Sequence, residues 1–336
     1  MTEFQPLTIT QKLRSRCVME KRTVYNEEKK REVKPVASAE LFSLKLVLLL
    51  AGFLTVASCA SDKNSSETDL TVNGDTEVLF NGEDLNGWYT YMKSPEPTSE
   101  VSGLERNDSG VYLEPIGLNQ DPLNVFTVVE EDGEPAIRIS GEVFGILVTE
   151  QEFEDYHLKL EFKWGDEKFP PREQLKMDSG ILYHSVGEEG AWGDVWMKSL
   201  ECQVQETDCG DYISVDTVMV DIPAYQSEED NSFYFHPDSS LVTFSPERAY
   251  CEFYRDNENP MGEWNSMEIY TVGGSSVHLV NGKPNMKVMN SRHIVNGKEV
   301  PLTKGKIQLQ SEGAEIYYRN IELTPVSEIP DNVWSF

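Results

Sequence analysis

The chain has 336 residues, 39% of them hydrophobic and 26% charged, which is a globular composition rather than a disordered or membrane-embedded one. Its formal net charge of −29 repels phosphate backbones and argues against nucleic-acid partners, while it favours neutral or cationic ligands and solubility after export. Length alone permits one large domain or two ordinary ones.

The first feature in chain order is apolar. Leu41 to Val56 is hydrophobic, interrupted early by Lys45. Its uninterrupted part is far short of the roughly 20 residues that span a bilayer. With lysines and arginines upstream it reads as the hydrophobic region of a signal peptide; a buried N-terminal helix is the other reading. The run ends in Val56-Ala57-Ser58-Cys59, which resembles the bacterial lipobox, where cleavage before a cysteine precedes its lipidation. Met1 to Glu40 is long for what precedes such a segment, and Met19 is an alternative start. The expected organisation is a signal peptide with N-terminal extension over 1–58, a lipidated polar tether over 59–76 and one domain over 77–336. The expected location is the periplasm or outer membrane of a Gram-negative bacterium, with membrane contact only through the lipid. Positions 1–58 carry ten Lys/Arg and six Asp/Glu, leaving 19 against 52 and a formal charge of −33 on the remainder. The acidity therefore belongs to the domain.

From Glu77 onward the pattern has period two, punctuated by Gly, Pro and Asn-Gly. In Tyr156 to Trp164, Leu158, Leu160, Phe162 and Trp164 share one face, and Lys159, Glu161 and Lys163 the other. Gly180 to His184 and Leu200 to Gln205 read as further strands. Trp264 to Val272 and Val277 to Val280 read as a hairpin across Gly273-Gly274, and Asn281-Gly282 as another turn. Lys306 to Gln310 and Ala314 to Leu323 close the chain. No stretch after Cys59 shows sustained helical periodicity. The expected fold is all-β, a jelly-roll sandwich of two antiparallel sheets. Cys202, Cys209 and Cys251 form no zinc-like spacing and read as small buried hydrophobes.

One strand carries chemistry. Alternation puts Glu201, Gln203 and Gln205 on one face and Cys202 and Val204 on the other. A carboxylate and two amides in a row are costly to bury unless ligand or water satisfies them. With Glu161 and Lys163 on a second strand and His184 on a third, adjacent strands would make a polar floor, close in sequence to Glu206, Asp208 and Asp211. Trp192 and Trp196, in a Gly-rich loop, read as ligand-facing; Trp164 is equally a core residue. Arg172, after Pro170-Pro171, is placed to reach over the site. Flat aromatics beside amides and carboxylates suit sugar rings, so an oligosaccharide or glycoside is the expected partner.

These residues sit within a wider resemblance. Leu79-Phe-Asn-Gly-Glu-Asp-Leu-Asn-Gly-Trp88 resembles the opening signature of the 3-keto-disaccharide hydrolase family. Asp178-Ser-Gly-Ile-Leu-Tyr-His184, Leu200-Glu-Cys-Gln-Val-Gln205, Gly262-Glu-Trp-Asn265, His278-Leu-Val-Asn-Gly282 and Gly305-Lys-Ile-Gln-Leu-Gln310 follow in family order. The resemblance implies a concanavalin A-like jelly roll that cleaves 3-keto-glycosides. His184 stands where many relatives carry arginine, and Asp211 to about Arg255 is a long insertion. A ketone at C3 acidifies the C2 proton; a base removes it, an enolate forms, and the C1 group leaves, with or without net addition of water. The implied catalytic set is His184 or Glu206 as base, with Glu201 as acid or orienter. Lys163, Arg172 or a bound cation would stabilise the enolate. Glu161, Lys163, Arg172, Trp192, Trp196, Gln203, Gln205 and Asp208 would contact substrate. No cofactor is required by the sequence, although Asp208, Glu206 and His184 are suitable ligands for a divalent cation. A lectin-like module would use the same floor without turnover.

The lipobox generates a first prediction. In its host the protein should be membrane-associated and lipid-labelled, and Cys59→Ala should abolish the label. Labelling that persists in the variant would remove Cys59 from this role.

Overall fold

The computed structural model describes residues 74–253 and 255–336. The signal segment, Cys59 and the tether up to residue 73 lie outside the described residues.

Among the described residues, the strands form two antiparallel sheets, one of twelve strands and one of nine. The main path of the larger runs Phe233–Phe235, Val218–Gln226, Lys283–Val295, Ser275–Val280, Asn265–Val272, Tyr156–Lys168, Ala314–Pro325, Glu134–Ile139, Phe126–Glu131. That of the smaller runs Tyr250–Cys251, Tyr212–Val215, Lys198–Gln205, Asp178–Val186, Lys304–Ser311, Gly145–Thr149, Trp88–Met92, Gly117–Leu118. The chain repeatedly changes sheet. Tyr156–Lys168 in the larger is followed by Asp178–Val186 in the smaller, and Lys304–Ser311 in the smaller by Ala314–Pro325 in the larger. This is the expected jelly-roll sandwich. A single helical turn, Asp331–Trp334, follows the last strand.

Alternation decides which face is inward. Leu158, Leu160, Phe162 and Trp164 are buried in one cluster with Ile181, Tyr183, Leu200, Cys202 and Val204 from the opposing sheet. Each such side chain contributes about 1.5–3 kcal/mol by leaving water. Glu161 and Lys163 point the other way, as the period requires. Asn281 and Gly282 both have positive φ, 50° and 71°, the geometry that turns Ser275–Val280 tightly into Lys283–Val295. Cys202, Cys209 and Cys251 are free, buried thiols, and burial holds all three well above their ordinary pKa and so inert.

The chain enters beside its own end. Glu77–Val78 pairs with Glu322 and Leu323 of the last long strand, and the Thr76 and Thr324 hydroxyls lie 2.8 Å apart. Leu79 N–H then donates to Ile321 O, and the buried Trp88 indole donates to Leu79 O at 2.7 Å.

The segment that begins at Asp211 lengthens both sheets at one edge. Tyr212–Val215 and Tyr250–Cys251 extend the smaller, while Val218–Gln226, Phe233–Phe235 and Leu241–Phe244 extend the larger. Asp211 closes the excursion, accepting from Phe253 N–H at 2.7 Å and from the Tyr250 hydroxyl at 2.9 Å. Burial, and then the nearby charge of Asp208, pushes this carboxyl well above the usual range.

A carboxyl whose folded pKa is raised takes up a proton on folding, so its contribution falls as pH rises above the unfolded value. Asp211→Asn keeps both contacts, accepting from Phe253 N–H and donating to Tyr250, and should abolish this part of the pH dependence. Asp211→Ala should cost about 1–3 kcal/mol through the unsatisfied partners. Denaturant unfolding at pH 5 and 8 measures both; equal losses for Asn and Ala would contradict the assignment.

Candidate functional site

The outer face of the nine-stranded sheet holds a buried polar strip. Its origin is the strand Lys198–Gln205. Leu200, Cys202 and Val204 fill the core, so Glu201, Gln203 and Gln205 must project outward. They stand opposite Leu182, Gly180 and Asp178 of the neighbouring strand. On that strand's other side, Gln308 stands opposite Leu182, and Gln310 shares its face two residues on. Glu201, Gln203, Gln205, Asp178, Gln308 and Gln310 are all 3% exposed or less.

Most of this strip is tied together by Asp178. Its carboxylate accepts from Gln205 Nε2 at 2.6 Å and Gln203 Nε2 at 3.2 Å. It pairs with Arg172 Nη2 at 2.5 Å, and the same guanidinium lies 3.7 Å from Glu312. Arg172 thus reaches over the strip from its loop, as the sequence suggested. Polar atoms here without a hydrogen-bond partner include Gln310 Oε1 and Nε2, Gln203 Oε1 and Arg172 Nε.

Gly180 is what lets these side chains converge. A Cβ there would lie 2.5 Å from Gln310 Oε1 and 2.8 Å from Glu201 Oε1. Both side chains therefore lie down against bare backbone. Any larger residue at 180 would push them apart.

An apolar patch adjoins the strip. Phe144, Ile146, Val148, Leu182, Val195, Trp196, Met197 and Val215 form one buried cluster, flanked by partly buried Tyr89, Tyr91 and Trp192. The loop between Val186 and Lys198 folds over it. Trp192 and Trp196 exchange backbone hydrogen bonds of 3.0 and 2.9 Å, a tight turn made with Gly193 at positive φ. The loop is pinned at both ends: Tyr89 donates to Glu189 at 2.7 Å, and Met197 N–H donates to Gln308 Oε1 at 3.2 Å.

Several sequence expectations are corrected. His184 is not on this face. It has φ of 50° at a bulge where the register to both neighbouring strands shifts, which turns its ring inward between the sheets. There it packs edge-on to Tyr156 and Tyr183, with Nε2 3.4 Å from Thr271 Oγ1. Burial lowers its pKa to about 4. Glu161 and Lys163 belong to the other sheet and its outer face. Glu161 accepts from Arg319 at 2.7 Å; Lys163 binds Glu131 and Asp132. Glu206 and Asp208 sit past the opposite end of the strip from His184, where Glu206 accepts from Met177 N–H and Asp208 pairs with Lys176 at 2.6 Å. The supposed cation ligands His184, Glu206 and Asp208 are thereby separated, and no group of three such side chains is gathered among the described residues. Trp196 is 8% exposed and stacks on Phe144 at 6.2 Å, so it packs rather than faces ligand, while Trp192 stays partly exposed. Trp164 is core, its indole donating to Glu258 at 2.7 Å.

Asp178 and Gln310 were missed. The signal for Gln310 was present: Gln308 and Gln310 alternate with Ile307 and Leu309 just as Glu201, Gln203 and Gln205 alternate with their apolar neighbours.

A family model described as a 3-keto-alpha-glucoside-1,2-lyase-like domain matches residues 75–324. Among solved structures, a candidate glycosyl hydrolase from Parabacteroides distasonis is 20% identical, with TM-score 0.41, over 75% of this chain and 94% of its own. The carbohydrate-binding module CBM66 from Bacillus subtilis is 9% identical, with TM-score 0.33, over 59% of this chain and 91% of its own. A Bacillus licheniformis beta-glucanase is 11% identical, with TM-score 0.32, over 75% of this chain and 98% of its own. A search of curated proteins finds no match.

The placement of His184 has a measurable consequence. Its folded pKa of about 4 lies below the unfolded value of about 6.5, so protons bind the unfolded chain first and stability is lost as pH falls through that interval. His278, also lowered by burial to about 4, acts the same way. His184→Gln should flatten the acid limb of stability between about pH 6.5 and 4 and leave the His278 share. An unchanged acid limb in unfolding titrations would count against an inward, neutral His184.

Proposed function

Because the chain belongs to the 3-keto-alpha-glucoside-1,2-lyase-like family, we propose that it cleaves 3-keto-glycosides on the outer face of its nine-stranded sheet. The observation that carries the reading is the buried strip of Glu201, Gln203, Gln205, Asp178 and Gln310 beside an aromatic flank. Sugars present hydroxyls at their edges and C–H groups on their faces, and the strip and flank offer a complement to each.

The chemistry starts from acidity. A ketone at C3 makes the C2 proton removable by a side-chain base; without it that proton is held far too tightly. Glu201 is the residue placed to take it. Glu201 lies over Gly180 in the middle of the strip, beside Gln310. As the C2–H bond breaks, its electrons form the C2–C3 double bond and charge collects on the C3 oxygen. Arg172 and the Gln203 amide are the donors on this face for that oxygen. The C1–O bond then breaks as the enolate collapses towards C1, and Glu201 can return its proton to the departing oxygen. Water adding across the resulting double bond gives net hydrolysis; its absence gives the elimination product. The exported, lipid-anchored location belongs to the same proposal, with substrate met outside the cytoplasm.

Purified protein should cleave a 3-keto-glycoside and leave the unoxidised glycoside nearly untouched. Glu201→Gln should depress kcat by about 10²–10⁴-fold with the fold intact. Equal cleavage of both substrates would return the reading to an ordinary glycosidase, and binding of both without cleavage to a lectin-like module. A chelator arm tests for a required cation.

A further inference from the structure

Gln310 is 1% exposed, and neither its Oε1 nor its Nε2 has a hydrogen-bond partner. A buried amide in this state destabilises the fold through both unmet groups. Core positions of that kind are ordinarily apolar. The side chain is also deliberately accommodated, since Gly180 alone leaves it room. Two more unmet atoms border the same ground: Gln203 Oε1, on the residue paired with Gly180, and Arg172 Nε. Together they offer donors and acceptors in near balance.

We infer that Gln310 is a specificity-determining residue that reads two neighbouring hydroxyls of an uncharged sugar ring, accepting from one through Oε1 and donating to the other through Nε2. Gln203 Oε1 and Arg172 Nε continue the same recognition. The electrostatics select against an anionic ring. Arg172 is the positive group of the strip, and Asp178 and Glu312 already face it, with Glu201 close by. A uronate carboxylate would meet net negative charge, whereas hydroxyls satisfy amides at no electrostatic cost. This inference rests on the strip being the sugar site, and it concerns binding rather than the bond broken.

The test is Gln310→Met, which keeps length and apolar volume and removes both polar atoms. Thermal unfolding would be followed without ligand, with methyl glucoside, and with methyl glucuronide; KM and kcat would be measured on 3-keto-methyl glucoside. The expected variant unfolds at or above the wild-type temperature. It loses the methyl glucoside-induced shift, and its KM rises roughly tenfold to hundredfold with kcat changed only a few-fold. Methyl glucuronide should shift neither protein. A fall in Tm beyond about 4 °C without ligand would mean that water or protein already satisfies the amide, and would overturn the inference. So would an unchanged KM, a wild-type shift by methyl glucuronide as large as by methyl glucoside, or no sugar-dependent shift in the wild type. The two readings separate cleanly. Gln310-dependent binding without cleavage of the keto substrate removes the reaction and keeps the inference; cleavage with a Gln310-independent KM does the reverse.

Discussion

The Asp178 carboxylate is wholly buried in the middle of a sheet, and the site is organised by that constraint. A charge so placed is tolerable only if donors converge on it. Arg172, Gln203 and Gln205 supply them from a loop and from the adjacent strand. The loop that carries Arg172 is thereby drawn over the sheet, and the two glutamines are held in fixed rotamers. Glu201, two residues along from Gln203, inherits its orientation from the same strand. Removing the carboxylate would release the loop and both amides together, so the strip behaves as one unit.

The two outer faces of the sandwich use polar residues differently. On the larger sheet, Glu161, Lys163, Arg138, Glu315 and Arg319 pair with neighbouring charges, and Arg319 and Lys163 lie over Trp264. Such partly exposed pairs are mutually satisfied and contribute little individually. On the smaller sheet the charges are fewer, deeper and joined by amides, and some donors and acceptors stay unmet. That contrast, more than charge itself, separates the site from the surface.

The architecture was legible because period-two alternation survives wherever one face is buried. It correctly placed Leu158, Leu160 and Phe162 inward and Glu201, Gln203 and Gln205 outward. It failed at His184 for a local reason: a bulge inserts one residue, and every inference from parity beyond it reverses. It failed at Lys163 for a global one. Alternation says which face of its own sheet a residue occupies, not which sheet its strand joins. Glu206 and Asp208 were misplaced by proximity in sequence, since a turn beyond Gln205 carries them to the end of the strip. Gln310 lay over a hundred residues from Glu201 in the chain, and only the pairing of Lys304–Ser311 with Asp178–Val186 brings it near.

The way the chain enters has a mechanical meaning. Anything pulling on the polypeptide ahead of residue 74 acts first on the Thr76–Thr324 contact and the two-residue pairing of Glu77 and Val78 with the last strand. These contacts would open in sequence, like a zipper, each bearing load alone. The peeling would halt at Leu79, where the backbone bond to Ile321 and the buried Trp88 indole meet. The two sheets thus begin with a short, yielding leash, and a pull on it need not reach the strands that carry the buried polar strip.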